Sequence, residues 1–282
     1  MTAKVTAFAP AKLNLTLHVT GRRSDGYHVL DSLVVFADVG DQITAESDSN
    51  LSLDVSGPMA LGVPSDASNL MLKAAALMPP GQGAALSLTK NLPAASGIGG
   101  GSSDAAATLR ALSQLWNVAL PTPEKLLKLG ADLPVCMTPL PQRMSGIGEK
   151  LSLVPNVPEL NILLVNPKIE VPTPAVFKAM TNRDNPGMTR ALPAWSSQSD
   201  FVHWLGYQRN DMQAAACALA PEISNCLTAL EAVEGCQLAR MSGSGATCIG
   251  VFVTANAAKV AEQVLKSIYP NWWVTAAKTT AS

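Results

Sequence analysis

The chain has 282 residues, of which 48% are hydrophobic and 15% are charged, and its formal net charge is −1. This composition excludes a disordered chain and favours a globular protein long enough to form two coupled cores. The near-neutral charge, without any block of like charges, excludes a nucleic-acid or anionic-membrane surface. No apolar run reaches the length of a transmembrane helix, and the first residues lack the pattern of a signal peptide.

The cysteines lie far apart, at positions 136, 217, 226, 236 and 248. Their number is odd, and no Cys-x-x-Cys pair or Cys/His ligand spacing occurs. The sequence therefore predicts buried, reduced thiols and not disulfides or a zinc site. Because reduced thiols are typical of the cytoplasm, we expect a cytoplasmic protein.

The first third of the chain has the pattern of β-strands. Residues 12–20 (KLNLTLHVT) alternate polar and apolar side chains, which predicts one buried face and places Lys12 and Asn14 together on the opposite face. Further strands are predicted at 29–39, 41–47, 51–55 and 84–90, and the Asp-Gly of GRRSDGYH predicts a turn before them. Between the last two strands, SNLMLKAAALM predicts a helix capped by Ser68 or Asn69.

Two helical patterns follow the last of these strands. A helix is predicted from a cap at Ser102, Ser103 or Asp104 to about Leu115. PTPEKLLKLG predicts a short helix, with proline near its start and glycine at its end. The second half of the chain alternates predicted helices and strands in NILLVNP, TPAVFKAM, QRNDMQAAACALA, EISNCLTALEAV, CQLARMSGSGATCIGVFV, ANAAKVAEQVLKSIY and NWWVTAA, with SGSGAT between two strands. Residues 181–200 are expected to form a surface loop. Two prolines between Val154 and Glu159 predict a boundary between two domains, residues 1–155 and 156–282.

A glycine-rich loop, NLPAASGIGGGSSD at 91–104, lies between a predicted strand and a predicted helix. Glycines allow backbone N–H groups to converge on phosphate oxygens, and a helix N-terminus adds about half a positive charge. The loop lacks the Lys-Ser/Thr of a Walker motif, and its glycines fit a dinucleotide fingerprint poorly. The pattern favours phosphate binding, with a structural turn and a dinucleotide site as the alternatives.

Three stretches in order carry a family resemblance: PAKLNL at 10–15, PAASGIGGGSS at 93–103 and SGSGAT at 242–247. They resemble the signature motifs of the GHMP kinases. PAKLNL followed by DGYH, LGADLPVCM and EVPTPAVF is similar to the branch of that family that phosphorylates 4-diphosphocytidyl-2-C-methyl-D-erythritol. The resemblance covers nearly the whole chain.

The resemblance implies an α+β fold of two lobes, an N-terminal mixed α/β lobe that binds ATP and a C-terminal lobe of sheet and helices, with the active site in the cleft between them. It implies that ATP and Mg²⁺ are used to phosphorylate the 2-hydroxyl of a small-molecule substrate, a cytidine-diphospho sugar alcohol, in the non-mevalonate route to isoprenoid precursors. Neither a nucleic acid nor a membrane is expected as a partner, and the protein is expected to be a monomer or a homodimer. The residues that would bind Mg²⁺ are left unassigned.

The family's catalytic aspartate and lysine match Asp132 and Lys12. The aspartate would accept the proton of the attacking hydroxyl, and the lysine would keep the carboxylate ionised and stabilise the developing alkoxide. A helix cap is the structural alternative for Asp132. The ATP phosphates, with Mg²⁺ bridging them, are expected on Pro93, Ala94, Ala95, Ser96, Gly97, Ile98, Gly99, Gly100, Gly101, Ser102 and Ser103.

Tyr27 and His28 carry the expected recognition of the substrate base. By the resemblance, these side chains stack on the cytosine and His28 hydrogen-bonds its edge, while Phe177 closes the other face. Asn14 is expected to orient the substrate or the aspartate, and Thr173 is expected to contact the substrate. The second glycine loop (Gly243, Ser244 and Gly245) is either a simple hairpin turn or a loop that approaches the first loop or the phosphates.

Two further interpretations stay open. A non-catalytic, nucleotide-binding member of the fold should have lost Lys12 or Asp132, yet both stand in matching contexts. A GHMP kinase for another alcohol, such as mevalonate or homoserine, would have no base to stack on Tyr27 and His28.

Overall fold

A computed structural model describes residues 3–281, and these residues form two compact units. The first unit contains the chain up to Lys12, Val39–Ala94 and Gly99–Pro139. The second contains Leu13–Asp38, Ala95–Ile98 and the chain from Leu140 onward. Both units are built from alternating segments of the chain, and the expected division into residues 1–155 and 156–282 stays a prediction.

Helices and strands alternate along most of the chain. The strands are β1 (Lys4–Asn14), β2 (His18–Arg22), β3 (His28–Asp48), β4 (Leu51–Ser56), β5 (Gly83–Thr89), β6 (Gln142–Gly146), β7 (Lys150–Leu153), β8 (Asn161–Asn166), β9 (Cys236–Met241), β10 (Cys248–Phe252) and β11 (Trp273–Lys278). The helices are α1 (Leu70–Ala75), α2 (Gly100–Trp116), α3 (Pro123–Leu129), α4 (Leu133–Cys136), α5 (Thr173–Ala179), α6 (Gln198–Gly206), α7 (Gln213–Leu219), α8 (Pro221–Ala232) and α9 (Ala255–Ile268).

The first unit packs helices α1 and α2 beside strands. Strand β5 pairs in parallel with β4 and antiparallel with the second half of β3, in a register that places Gln42 opposite Thr89. The side chain of Asn69 accepts a hydrogen bond from the Met71 N–H, which confirms the predicted cap of α1. A small apolar core holds this unit together: Ala9, Ile43, Met71, Leu88 and Ala107.

The second unit contains two groups of strands. The first half of β3 pairs with β2 and β6, and β6 pairs with β7. Strands β11, β8, β10 and β9 form an antiparallel sheet in that order, against which α8 and α9 pack. Strand β10 is buried along its whole length, as expected for an apolar run in the middle of a sheet. The apolar core of the second unit includes Leu163, Val165, Ile223, Leu230 and Phe252.

Two expectations about the first strands are wrong. The pattern at 12–20 predicts one strand with one buried face, but β1 ends at Asn14 and β2 begins at His18. Lys12, Leu13 and Asn14 are all buried, so this part of β1 has no solvent face. The strands expected at 29–39 and 41–47 form the single strand β3.

The expected cap of α2 is also wrong, because the helix begins at Gly100, with Gly99 at its N-cap position and no side-chain cap. Four elements of the structure have no counterpart in the sequence-based prediction, namely α4, β6, β7 and α6.

The five cysteines are free in the structure, which confirms the prediction of thiols, although Cys217 and Cys236 are only partly buried. Burial raises the pKa of Cys136 and of Cys226 to about 12, so both thiols stay protonated and unreactive near neutral pH.

Within residues 3–281, no helix combines the length and the apolar character needed to span a bilayer.

Candidate active site

Lys12 and Asp132 form an ion pair in the first unit, with 2.8 Å between Lys12 Nζ and Asp132 Oδ2. The lysine side chain is only 3% exposed, whereas that of Asp132 is 36% exposed. A buried ammonium is costly without a counter-ion, and the carboxylate provides one. Asp132 stands directly before α4 but makes no side-chain cap, so the structure does not support the alternative that its carboxylate only caps a helix.

The end of the glycine-rich loop lies against this ion pair. Gly99 has φ +64°, a left-handed conformation, and a Cβ at this position would lie 3.1 Å from Lys12 Cβ. Across from it, a Cβ at Gly130 would lie 4.0 Å from Ser102 Oγ. The N-terminus of α2 therefore begins beside Lys12, with the free N–H groups that the first turn of any helix presents.

The two serines of the loop differ in their contacts. Ser103 is buried and donates to the Pro10 carbonyl oxygen at 2.7 Å, which fixes the first turn of α2 to β1. Ser102 is half-buried. Among the residues that the structure describes, no group of three or more His, Cys, Asp or Glu side chains could hold a metal ion.

The second glycine loop packs backbone to backbone against the start of the first loop, within the second unit. The Thr247 N–H donates to the Ser96 carbonyl at 3.0 Å, and Ser242 Oγ donates to the Gly97 carbonyl at 3.1 Å. A Cβ at Gly97 would lie 2.6 Å from the Gly245 carbonyl oxygen, a distance that no side chain could tolerate. The loop joins the antiparallel strands β9 and β10, so it is a hairpin connection that also lies close to the first loop, whereas its approach to phosphates stays a prediction.

Asn14 and Thr173 attach to the same loop. Ser242 Oγ accepts a hydrogen bond from the Asn14 N–H at 3.0 Å, and the hydroxyls of Thr173 and Ser244 lie 2.7 Å apart. The Asn14 side chain donates to Ser32 Oγ at 2.7 Å, but its Oδ1 is buried without a hydrogen-bond partner. A buried acceptor in this state costs free energy until a ligand or water supplies a donor.

His28 and Phe177 stack directly on one another, with ring centroids 4.0 Å apart and an angle of 5° between the ring planes. Burial, and then the charges of Arg22 and Arg183, lower the pKa of His28, so the imidazole is neutral near pH 7. Its Nε2 atom is buried and has no partner. Tyr27, by contrast, is 60% exposed.

The structure thus places the sequence-predicted residues in two sets. The first unit contains Lys12, Asp132 and Gly99–Ser103. The second unit brings Asn14, Thr173 and Gly97 to the second glycine loop. It also contains the stacked rings of His28 and Phe177.

Sequence reasoning missed three contributors to these sets. Ser242 joins Asn14 to Gly97, and its place in SGSGAT could have indicated it. Arg183 donates through Nε to the Phe177 carbonyl at 2.9 Å, a contact without a sequence signal. A buried cluster of Asp41, Lys90 and Asp104 lies at the base of the first loop and likewise had no signal.

Two family descriptions match the chain in separate segments. The family described as "GHMP kinases N terminal domain" matches residues 67–140, and the one described as "GHMP kinases C terminal" matches residues 191–271. These matches and the fold define the class as GHMP kinases.

Relatives and a solved structure narrow this class. A 4-diphosphocytidyl-2-C-methyl-D-erythritol kinase of Ruegeria pomeroyi is 54% identical over 271 residues, covering 95% of this chain and 97% of that protein. Another, from Cereibacter sphaeroides, is 55% identical over 273 residues, covering 96% and 98%. A crystal structure of 4-(cytidine 5'-diphospho)-2C-methyl-D-erythritol kinase superimposes with a TM-score of 0.80 at 28% identity, covering 99% and 100%. The chain belongs to the GHMP kinase family, in the branch of the 4-diphosphocytidyl-2-C-methyl-D-erythritol kinases.

Proposed function

We propose that this kinase transfers the γ-phosphoryl group of ATP to the 2-hydroxyl of 4-diphosphocytidyl-2-C-methyl-D-erythritol, a step of the non-mevalonate route to isoprenoid precursors. One observation carries the assignment of the catalytic residues: the 2.8 Å ion pair of Lys12 and Asp132 beside the helix end of the glycine-rich loop. A carboxylate that can accept a proton thus stands next to a buried cation and next to N–H groups suited to phosphate.

Asp132 acts as the general base in this proposal. Its partly exposed carboxylate accepts the proton of the 2-hydroxyl while that oxygen forms a bond to the γ-phosphorus. The bond from the γ-phosphorus to the bridging oxygen breaks, and ADP leaves with that electron pair. Lys12 pairs with the carboxylate and stabilises negative charge as it develops on the attacking oxygen.

The glycine-rich loop binds the phosphates of ATP in the same proposal. Residues 93–103 supply backbone N–H groups and the helix N-terminus of α2, both of which favour negative charge. Mg²⁺, when bound, would neutralise part of the phosphate charge. Ser102, which is half-buried, would offer its hydroxyl to the ion, whereas the Ser103 hydroxyl is buried and donates to the Pro10 carbonyl.

The base of the substrate is assigned to Tyr27, His28 and Phe177. Because His28 already covers one face of the Phe177 ring, cytosine would stack between the exposed ring of Tyr27 and the face of Phe177 that His28 leaves free. The neutral imidazole can hydrogen-bond a base edge, and its unpartnered Nε2 supports this role. The unpartnered Oδ1 of Asn14 and the hydroxyl of Thr173 support contacts to the rest of the substrate.

The proposed function is tested by incubating the purified protein with ATP, Mg²⁺ and a panel of alcohols and measuring ADP release. The panel contains 4-diphosphocytidyl-2-C-methyl-D-erythritol, mevalonate, homoserine and galactose. We expect turnover with the first compound only. Turnover with another alcohol would replace the substrate, and ATP binding without any turnover would indicate a non-catalytic member of the fold.

Tyr27→Ala is expected to weaken substrate binding by about 1–3 kcal/mol, the range for stacking of a base on an aromatic ring. ATP affinity should hardly change, since the phosphates are assigned to another loop.

His28→Ala should weaken binding of the full substrate more than binding of a methylerythritol fragment without the base, because groups on the base edge would lose their hydrogen-bond partner.

Both variants are compared with the wild type on the full substrate and on the fragment. Tyr207→Ala serves as the matched control, because Tyr207 is also exposed (72%) and lies in the same unit. Equal losses on the full substrate and on the fragment would show that Tyr27 and His28 only stabilise the strand.

Gly99→Val is expected to weaken ATP binding by about tenfold or more. The left-handed φ of +64° disfavours a β-branched residue, and its Cβ would press on Lys12 at 3.1 Å. Gly62→Val is the control, because Gly62 also has a left-handed φ of +80° but would meet nothing within 4 Å. Titration with ATP gives the Kd of each variant. An equal loss of ATP affinity in Gly99→Val and Gly62→Val would show that backbone strain alone causes the effect.

A further inference from the structure

The start of the glycine-rich loop is fixed by a buried carboxylate. Asp41 is fully buried, and its Oδ1 accepts hydrogen bonds from the N–H groups of Asn91 at 2.5 Å and Leu92 at 2.9 Å. Its Oδ2 pairs with Nζ of Lys90, the residue that follows β5. Asp41 thereby holds the backbone at the point where the chain leaves the strand and enters the loop.

The other end of the loop is attached to the same ammonium. Lys90 Nζ lies 2.9 Å from Oδ2 of Asp104, which is in the second turn of α2, and both side chains are at most 5% exposed. A Cβ at Gly100 would lie 3.2 Å from Lys90 Nζ, so the ammonium sits directly under the first residue of the helix. Residues 41, 90 and 104 thus join the two ends of the loop beneath the N-terminus of α2.

We propose that Asp41, Lys90 and Asp104 form a buried positioning cluster that holds the glycine-rich loop in the conformation that binds the phosphates of ATP. The inference rests on the proposed function, because it assumes that ATP binds this loop. None of the three is assigned a contact with a substrate. Lys90 acts through the backbone of residues 91–92 and of α2, and its loss should change ATP binding before it changes the chemistry at Asp132.

The charge of the cluster supports this role. Burial, and then the neighbouring Asp41 carboxylate, raise the pKa of Asp104 to about 8 against the opposing effect of Lys90. Burial alone would lower the pKa of Lys90, but the two carboxyl groups outweigh it and raise that pKa. Near pH 7 the Asp104 carboxyl is therefore mostly neutral and adds little negative charge beneath the phosphates.

Outside the cluster, Cys136 lies close enough to Asp104 for that carboxyl to contribute to raising the pKa of the thiol. The Cys136 thiol on α4, whose pKa is about 12, stays neutral, and Arg110 on α2 donates to the Cys136 carbonyl at 2.9 Å. As the pH rises through about 8, ionisation of Asp104 adds a negative charge beneath the loop, and this charge should oppose the binding of phosphate.

The first test measures the KM for each substrate and the Kd for ATP of Lys90→Met. We expect the KM and Kd for ATP to rise about tenfold or more, with a change of less than about threefold in the KM for the alcohol. Lys4→Met is the matched control, because Lys4 lies in the same unit in an exposed pair with Glu46. Unchanged ATP constants in a folded Lys90→Met protein would overturn the proposal.

The second test uses the nearly isosteric Asp104→Asn, whose amide oxygen can still accept from Lys90. In the wild type, the KM for ATP should rise several-fold between pH 7 and pH 9.5, whereas in Asp104→Asn it should stay nearly constant and close to the wild-type value at pH 7. A merely structural role would leave the two pH profiles parallel, and parallel profiles would overturn the proposal.

A third measurement does not need activity. Because the folded-state pKa of Asp104 lies above the unfolded value of 3.8, this group contributes stability that is fully present below about pH 4 and is lost as the pH rises to about 8. The Tm of Asp104→Asn relative to the wild type should therefore increase between pH 5 and pH 8, and a constant difference would contradict the charge argument. If the wild type binds ATP without phosphorylating the proposed alcohol, the substrate assignment fails, but the Kd for ATP, measured for Lys90→Met and across the pH range for Asp104→Asn, and the Tm comparison still test the cluster. If it does not bind ATP, both proposals fail.

Discussion

Replacing Asp132 by asparagine is expected to lower kcat by about 10²-fold or more while ATP binding survives. Asparagine keeps the size of the side chain but cannot accept the proton of the substrate hydroxyl. The substitution removes the charged partner of the buried Lys12 ammonium, so some loss of stability is expected, but the amide oxygen can still accept a hydrogen bond from Lys12 Nζ. The loss should therefore appear in kcat and not in the Kd for ATP.

Steady-state kinetics and ATP titration of Asp132→Asn test this expectation. Asp54→Asn provides the control, since Asp54 is an exposed acid in the same unit, on β4. If turnover of Asp132→Asn stayed at the wild-type level, Asp132 would have no role as a base, and the mechanism proposed here would be wrong.

Replacing Lys12 by methionine is expected to reduce turnover by a similar factor, about 10²-fold or more. Methionine fills most of the buried space of a side chain that is 3% exposed, but it leaves the Asp132 carboxylate without its counter-ion. The developing alkoxide then loses a stabilising positive charge, and the Asp132 carboxylate loses the ion pair that positions it.

The coupling of the two residues can be measured with the double variant Lys12→Met/Asp132→Asn. Groups that act as one unit show losses that are not additive, so the double variant should be only slightly slower than the slower single variant. A loss equal to the product of the two single effects would show that the residues act independently. Circular dichroism and thermal melts establish that each variant folds before its kinetics are compared.

Local signals in the sequence predicted much of the fold. The Asn69 cap, the proline and glycine that bound α3, and the strands on either side of SGSGAT all appear in the structure. Each of these signals acts over a few residues, where the chain itself determines the conformation. The pairing of Lys12 with Asp132 was expected from the family resemblance, because no local pattern joins residues so far apart in the chain.

Gly40 shows why other parts of the fold could not be predicted. A glycine before an aspartate suggests a turn, but here it lies in the middle of β3, where a Cβ would be 2.2 Å from the Ala9 carbonyl oxygen. The glycine is required by the close approach of another strand, and no local pattern reports such a contact.

Lys90 shows that parts of the candidate active site could not be predicted from the sequence either. In sequence it is a lysine at the end of a strand, which usually means a solvated charge. The structure buries it between Asp41 and Asp104, residues that are distant along the chain and have no pattern in common. The stack of His28 on Phe177 is a third case, because it is a tertiary contact between two residues that are far apart in the chain.

The central claim is tested most directly by ³¹P NMR of the product formed from 4-diphosphocytidyl-2-C-methyl-D-erythritol, ATP and Mg²⁺. Carbon 2 of the acceptor carries a methyl group and no hydrogen, so a phosphate on its hydroxyl gives a monoester signal without three-bond coupling to a proton. We expect one such uncoupled signal from the wild type, growing in step with ADP. Over the same period, Asp132→Asn should give no such signal. A monoester signal split by carbinol protons, or no monoester signal at all from the wild type, would contradict the central claim.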